Sequence, residues 1–333
     1  MTRTFLFTGA CGFIGSNVIS EFKKSFPEDT FIVLDKISYA SSEKTVQWLE
    51  SMDIKVIRMD INDNVLPVIS ENNVDYVYHF AAETHVDNSF RNSLAFTRTN
   101  VLGTHNLLEC CKVYGKLKKF VHVSTDEVYG SGEEDEIFME NVSILKPTNP
   151  YSASKAAAEM LCNSYKMSYD MPIIITRMNN CYGPRQHIEK VIPKFSIRYL
   201  KNRDLQIHGS GNQGRSFMHV SDVARAFLTV HNSGSIGEVY NIGMDDEVTI
   251  HELAKKVSDL SLIDYTGHID YVDDRKFNDQ RYVCCSKKIR LLGWEPKVDF
   301  FVGLQETVKW YRDNQDYFKD SDRYLDAHPT FDL

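Results

Sequence analysis

The chain has 333 residues, enough to bury a large core or to build two units around one cleft. A net charge of −8, 25% charged residues and no long basic run argue against nucleic acid or an anionic membrane surface as partner. Seven cysteines with no C-x-x-C pair read as free thiols of a reducing, cytoplasmic compartment, not as disulfides or a metal site.

Met1 to Phe13 lacks the long apolar region of a signal peptide, and no run approaches the ~20 residues of a membrane helix. Instead Thr4-Phe5-Leu6-Phe7-Thr8 reads as a short buried strand. It runs into Gly9, Gly12 and Gly15, then a helical pattern through Val18, Ile19 and Phe22. Glycines at this spacing allow a tight turn and a close approach to a pyrophosphate on the helix N-terminus. A plain glycine-rich turn is the competing reading. The next strand, Phe31 to Leu34, ends at Asp35, twenty residues after Gly15. An acid there binds an adenosine ribose and repels a 2′-phosphate, which favours NAD over NADP, although Lys36 adjoins it. A third strand, Lys55 to Met59, ends at Asp60-Ile61, a wall for an adenine or a simple capped turn. A fourth, Val74 to Phe80, ends in Ala81-Ala82, two small residues that admit a flat cofactor. His85 follows and reads as a hydrogen-bonded structural histidine. A long helix is expected over 96–114.

The apolar run Phe120 to Val123 then ends abruptly in Ser124-Thr125-Asp126-Glu127. A buried strand that stops this way delivers a hydroxyl and two acids to the carboxyl edge of a sheet, where open α/β sheets bind ligands. The acidic segment 132–141 reads as a surface loop. Pro150 opens a second long helix over 151–169, which carries Tyr151 and Lys155 on one face. A cation one turn from a phenol favours the phenolate, so Tyr151 is a candidate base below its free value of ~10. After the strand 172–176 the alternation loosens, and separated loops carry Lys190, Arg215, Arg275 and Arg281. Such loops suit a diphosphate, and each also reads singly as a surface ion pair. The expected fold is a doubly wound parallel α/β sheet of the Rossmann type over 1–178, with a returning segment near 215–243. A smaller α/β substrate-binding domain is expected over 179–333.

Gly9 to Gly15, Asp35, Ala81-Ala82 and the Tyr151/Lys155 pair resemble the extended short-chain dehydrogenase/reductase family. Thr125-Asp126-Glu127-Val128-Tyr129-Gly130, Asp35 to Ala40, Ala81 to Asp87, Asn149 to Ala156 and Glu189 to Pro193 resemble the nucleoside-diphosphate-glucose 4,6-dehydratases within it. This resemblance implies bound NAD and a homodimer through the two long helices. Tyr151 would be the base at the sugar C4 hydroxyl, Thr125 would hold that hydroxyl, and Lys155 would lower Tyr151 and position the nicotinamide ribose. Glu127 would take the C5 proton, and Asp126 would protonate the departing C6 hydroxyl. Gly9, Gly12, Phe13, Ile14, Gly15, Asp35, Lys36, Ser38, Asp60, Ile61, Phe80, Ala81, Ala82, Thr84 and Thr99, with Tyr151 and Lys155, would line the NAD site. Thr84, Thr125, Asn180, Lys190, Val191, Gln206, His208, Arg215, Arg275 and Asn278 would hold the sugar nucleotide. His208, Cys181 and the apolar Ile250 depart from the bacterial dTDP-glucose pattern, which leans the substrate towards UDP-glucose. A sugar-nucleotide 4-epimerase would share the fold but needs no Asp126-Glu127 pair. A catalytically silent NAD-binding scaffold would need none of these groups together.

Overall fold

The computed structural model describes residues 2–133, 136–260, 267–274, 283–318 and 321–326. Six early strands are β1 (Thr4–Thr8), β2 (Thr30–Asp35), β3 (Lys55–Arg58), β4 (Tyr76–His79), β5 (Lys119–Thr125) and β6 (Ile173–Met178). With a late strand, Val239–Ile242, they form a parallel sheet of seven. The order across it is Val239–Ile242, β6, β5, β4, β1, β2, β3.

The strands are runs of Phe, Ile, Val and Leu because both faces of the sheet are covered. Alternate residues of β1 feed opposite cores. Phe5 and Phe7 pack with Val18, Ile19 and Phe22 of α1 (Phe13–Ser25) and with Val223 and Phe227 of the Val220–Ser233 helix. Leu6 packs on the other face with Leu107, Leu108 and Cys162. The connections after β1 and β4 therefore leave to opposite faces. This makes the carboxyl ends of these neighbouring strands the topological switch point where such sheets bind ligands.

The expected helix over 96–114 is not one regular helix. Ser93–Phe96 leads into a widened π-type stretch, Thr97–Gly103, and only then into regular helix, Thr104–Tyr114. The widened turns bring Asn100 to the backbone of Glu83, whose N–H it accepts at 2.8 Å and whose carbonyl it bonds at 3.0 Å. The same amide donates to Ser154 Oγ at 2.8 Å, joining the stretch to the Pro150–Tyr169 helix. Widened turns of this kind concentrate at functional sites.

Behind the sheet edge, Arg177 of β6 and Glu159 of the Pro150–Tyr169 helix form a buried ion pair at 2.6 Å. Arg177 also donates to the Tyr129 hydroxyl at 2.7 Å, which in turn donates to Asn241 at 2.9 Å. One satisfied polar network thus fixes the turn after β5, the helix and the two outer strands against each other.

Beyond the carboxyl edge, three two-stranded pairings among the described residues build a separate core. Asn180–Tyr182 pairs with Phe217–His219, Gly214–Arg215 with Val248–Thr249, and Leu205–His208 with Ile269–Val272. Ile192, Phe195, Leu205, Ile207, Leu253 and Leu304 pack among them. Among the described residues no helix is long and apolar enough to cross a membrane.

Candidate active site

The first half of the cleft is a cavity of about 260 Å³ along the carboxyl ends of β1, β2, β4 and β5. Gly9 has φ +70°, and a β-carbon there would run into the backbone of Ala81, so the glycine turn lies directly on the exit of β4. Gly15 is equally constrained, since its β-carbon would sit 2.6 Å from Ala10 Cα. α1 begins at Phe13 with Gly12 before it and no side-chain cap, which leaves its first N–H groups turned to the cleft. These residues fit the pyrophosphate of a dinucleotide.

Asp35 is buried, and its two oxygens accept the N–H groups of Cys11 at 2.9 Å and Ile37 at 2.8 Å. Burial pushes the carboxyl up, and the two backbone donors work against that shift. Lys36 Nζ is committed to Glu83 at 2.8 Å, so the neighbouring cation has a carboxylate of its own. Asp60 serves both of its readings: it accepts from Asn62 N at 2.9 Å, capping its own turn, and it lines the cavity. Ile61 is held beside it, its carbonyl accepting from Asn106 at 2.7 Å. Phe13, Ile14, Lys36, Ser38, Phe80, Ala81, Ala82, Thr84 and Thr99 complete this wall, so every residue expected at the NAD site lines one cavity.

The hydroxyl and the two acids expected from the sequence stand where β5 ends. Thr125 keeps extended backbone, then Asp126–Tyr129 turn tightly before Gly130 at φ +86°. The Thr125 hydroxyl donates to Asp126 Oδ1 at 3.1 Å and accepts from Glu127 N at 3.3 Å. Asp126 is only 2% exposed, and Asn179 donates to its Oδ2 at 2.6 Å. Burial first, and Glu127 beside it second, push Asp126 up to about 7.

Tyr151 and Lys155 enter from the first turns of the Pro150–Tyr169 helix, and both are buried. Here the sequence expectation needs correction. Burial, with Glu127 next, raises the Tyr151 phenol above its ordinary value, and a hydrogen bond with Thr125 opposes this. Lys155 Nζ donates to the Val123 carbonyl at 2.6 Å. Burial brings Lys155 itself down to about 8.

A second cavity of about 170 Å³ shares Glu127, Asn180, Cys181, Gln186, Glu189 and Lys190 with the first. Val191, Gln206, His208, Arg215 and Ile250 line it, with Phe217. Lys190 also donates to the Thr84 carbonyl at 3.1 Å, which ties the two cavities' walls together. His85 is buried in the same wall with Nε2 3.9 Å from Asp87. Arg275 and Asn278 lie outside the described residues.

Two neighbours of the acid pair are not legible in the sequence. Asn179 bonds Asp126, and Asn149 donates to Glu127 Oε2 at 3.3 Å. The only local signal was Asn149 preceding Pro150, which marks a helix start and says nothing of a distant carboxylate.

Residues 6–307 match the family model described as GDP-mannose 4,6 dehydratase. The chain is 44% identical over 331 residues to the trifunctional UDP-glucose 4,6-dehydratase/UDP-4-keto-6-deoxy-D-glucose 3,5-epimerase/UDP-4-keto-L-rhamnose-reductase of Arabidopsis thaliana, covering 98% of this chain and 50% of that one. It thus spans about half the length of that relative. It is 43% identical over 336 residues to the dTDP-D-glucose 4,6-dehydratase of Homo sapiens, covering 98% of this chain and 95% of the relative. Among solved structures it resembles DesIV, a dTDP-glucose 4,6-dehydratase from Streptomyces venezuelae crystallised with NAD, at 38% identity and a TM-score of 0.91, covering 96% of this chain and 100% of that one. The switch-point cleft, the family match over most of the chain and these relatives agree: the chain belongs to the GDP-mannose 4,6 dehydratase family of the extended short-chain dehydrogenases/reductases.

Proposed function

We propose that the chain is an NAD-dependent nucleoside-diphosphate-glucose 4,6-dehydratase that converts UDP-glucose or dTDP-glucose to the 4-keto-6-deoxy sugar nucleotide and water. The observation that carries this reading is the run Thr125-Asp126-Glu127 in one cavity with Tyr151 and Lys155, with Glu127 at the join of the two cavities. A 4-epimerase has no use for the acid pair. The relatives' activities support the same reading. Residues 1–178 with the returning strand would form the dinucleotide half, and most of 179–333 the sugar-nucleotide half.

NAD in the larger cavity would supply reversible hydride transfer, out of C4 and back to C6. Thr125 holds the sugar 4-hydroxyl, and Tyr151 takes its proton. Lys155 keeps a cation one helical turn away, anchored by the Val123 carbonyl. The C4 ketone acidifies C5, and Glu127 removes that proton. Asp126 gives its proton to the C6 hydroxyl, which leaves as water. Glu127 then returns its proton to C5 as C6 is reduced. The proton gained by Tyr151 and the one lost by Asp126 balance over the cycle, and Thr125 hydrogen-bonds both residues. Asn180, Lys190, Gln206, His208, Arg215 and, in the undescribed segment, Arg275 and Asn278 hold the nucleoside diphosphate.

UDP-glucose is the preferred substrate in this reading, on the strength of His208 and Ile250 in the second cavity. The margin is small, because uracil and thymine differ by one methyl, ~1 kcal/mol. The test is proton NMR of the purified protein with each sugar nucleotide in D₂O, without added NAD. A 4-keto-6-deoxy product deuterated at C5, formed faster from UDP-glucose, is expected. A galactose epimer would refute the dehydratase.

We also propose a cytoplasmic homodimer. All seven thiols are unpaired, which suits a reducing compartment. Leu102, Val113, Met160 and Met167 are 53–77% exposed on the adjoining helices Thr97–Gly103, Thr104–Tyr114 and Pro150–Tyr169. A second copy would cover this apolar face in a four-helix contact. Sedimentation is expected to give a dimer for the native chain and a monomer for Met160→Asp/Met167→Asp. A native monomer would sink the proposal.

A further inference from the structure

We propose that Asn149 is a positioning residue that holds Glu127 as the C5 base and couples it to the helix carrying Tyr151. The inference rests on the dehydratase reading for what Glu127 does, and on geometry for how it is held.

Asn149 caps the Pro150–Tyr169 helix, and the cap uses only its oxygen. Oδ1 accepts from Ser152 N at 2.9 Å, while Ser152 Oγ accepts from Asn149 N at 3.2 Å, which completes a capping box. A serine or aspartate would cap the helix as well, because each offers the same acceptor. The amide NH₂ is therefore surplus to the cap. It points the other way and donates to Glu127 Oε2 at 3.3 Å. Asparagine is a cap that also offers a donor, and the donor goes to a carboxylate.

Three consequences follow from that contact. A hydrogen bond to the charged form favours the carboxylate, the state a base needs. It fixes the reach of a side chain that has three rotatable bonds. It also ties Glu127 to a backbone position two residues before Tyr151, so the groups that deprotonate O4 and C5 move as one unit. Those two sites are on adjacent carbons, and small losses of alignment between reacting groups are expensive. Asn149 lines neither cavity, so it acts through Glu127 and does not touch substrate. The adjacent acid has the same arrangement, since Asp126 takes an amide donor from Asn179 at 2.6 Å. Each acid of the pair is thus held by one asparagine from a different element.

The test compares Asn149→Ser and Asn149→Asp with the native protein. Both variants keep a capping oxygen, and both lose the amide. The first readout is the Glu127 carboxyl titration by ¹³C NMR in the substrate-free protein, with Glu127→Gln identifying the signal. Its midpoint is expected to rise by about one pH unit in Asn149→Ser, the worth of one hydrogen bond to a charged group. It rises further in Asn149→Asp, where a second carboxylate faces the first. The second readout is the acid limb of kcat, expected to move upward in step, with kcat about tenfold lower and KM unchanged. An unshifted Glu127 midpoint in both variants would leave Asn149 as a helix cap and overturn the inference. Failure of the native protein to dehydrate either sugar nucleotide would instead remove the dehydratase reading, and the titration would still decide how Glu127 is held.

Discussion

Asp126→Asn is expected to cut kcat/KM by about 10²–10⁴-fold, the usual worth of a general acid, and to erase the alkaline limb that this acid sets in the pH profile. The sign follows from burial. Asp126 is pushed up to about 7, and only its protonated form can donate to the C6 hydroxyl. Native kcat/KM therefore falls about tenfold per unit above pH ~7, as the free enzyme loses that proton. An asparagine has no proton to lose, so its small residual activity shows no such fall. Stability moves the opposite way. The folded carboxyl lies above its ordinary 3.8, so its contribution to stability is intact below pH about 4 and is lost as pH rises through about 7. The variant is thus expected to melt higher than the native protein at pH 8 while turning over far more slowly. A fall that still sets in near pH 7 in the variant would assign the acid to another group, whereas one set by Lys155 begins near 8.

Tyr151→Phe is expected to lower turnover by a similar factor or more, because it removes the group proposed to deprotonate O4. The ring itself stays, packed edge-on to Phe96 with centroids 6.3 Å apart, so the helix and its neighbours keep their places. The affinity for NAD, measured by calorimetry, is expected to change little. That separation of turnover from binding is the decisive observation. Activity within tenfold of native would mean that the phenol is not the base. The phenol must enter the cycle as the phenolate, so the loaded site has to offset the rise that burial and Glu127 impose on it.

Much of this site was legible in the sequence because its signals are local. Gly9 to Gly15 sit between a strand and a helix, Asp35 closes the next strand, and Tyr151 and Lys155 are one helical turn apart. Each needs only a few neighbouring residues to be interpreted, and all of them fall in one cavity. What escaped was pairing across the fold. Asn179 lies 53 residues from Asp126, and Asn149 lies 22 from Glu127. No periodicity links such positions, since their contact is made by the packing of a helix and a strand end. The direction of Tyr151's shift escaped for a related reason. The spacing of Tyr151 and Lys155 was visible, but depth of burial and the charge of Glu127 beside the phenol were not. The widened turns at Thr97–Gly103 likewise hide in an ordinary helical pattern, because they depend on what Asn100 meets on other elements.

The place of Val239–Ile242 at the edge of the main sheet matters to the chain while it is being made. A nascent polypeptide that has reached Met178 has β6 without its outer partner, and Ile173–Met178 is buried throughout in the finished protein. It also lacks Val223 and Phe227, which later fill the core against α1. A bare apolar edge of this kind is a template for pairing with other chains. The first half therefore cannot be completed on the ribosome ahead of the second. It must wait for Ile242 to emerge, because only then does β6 gain its outer partner.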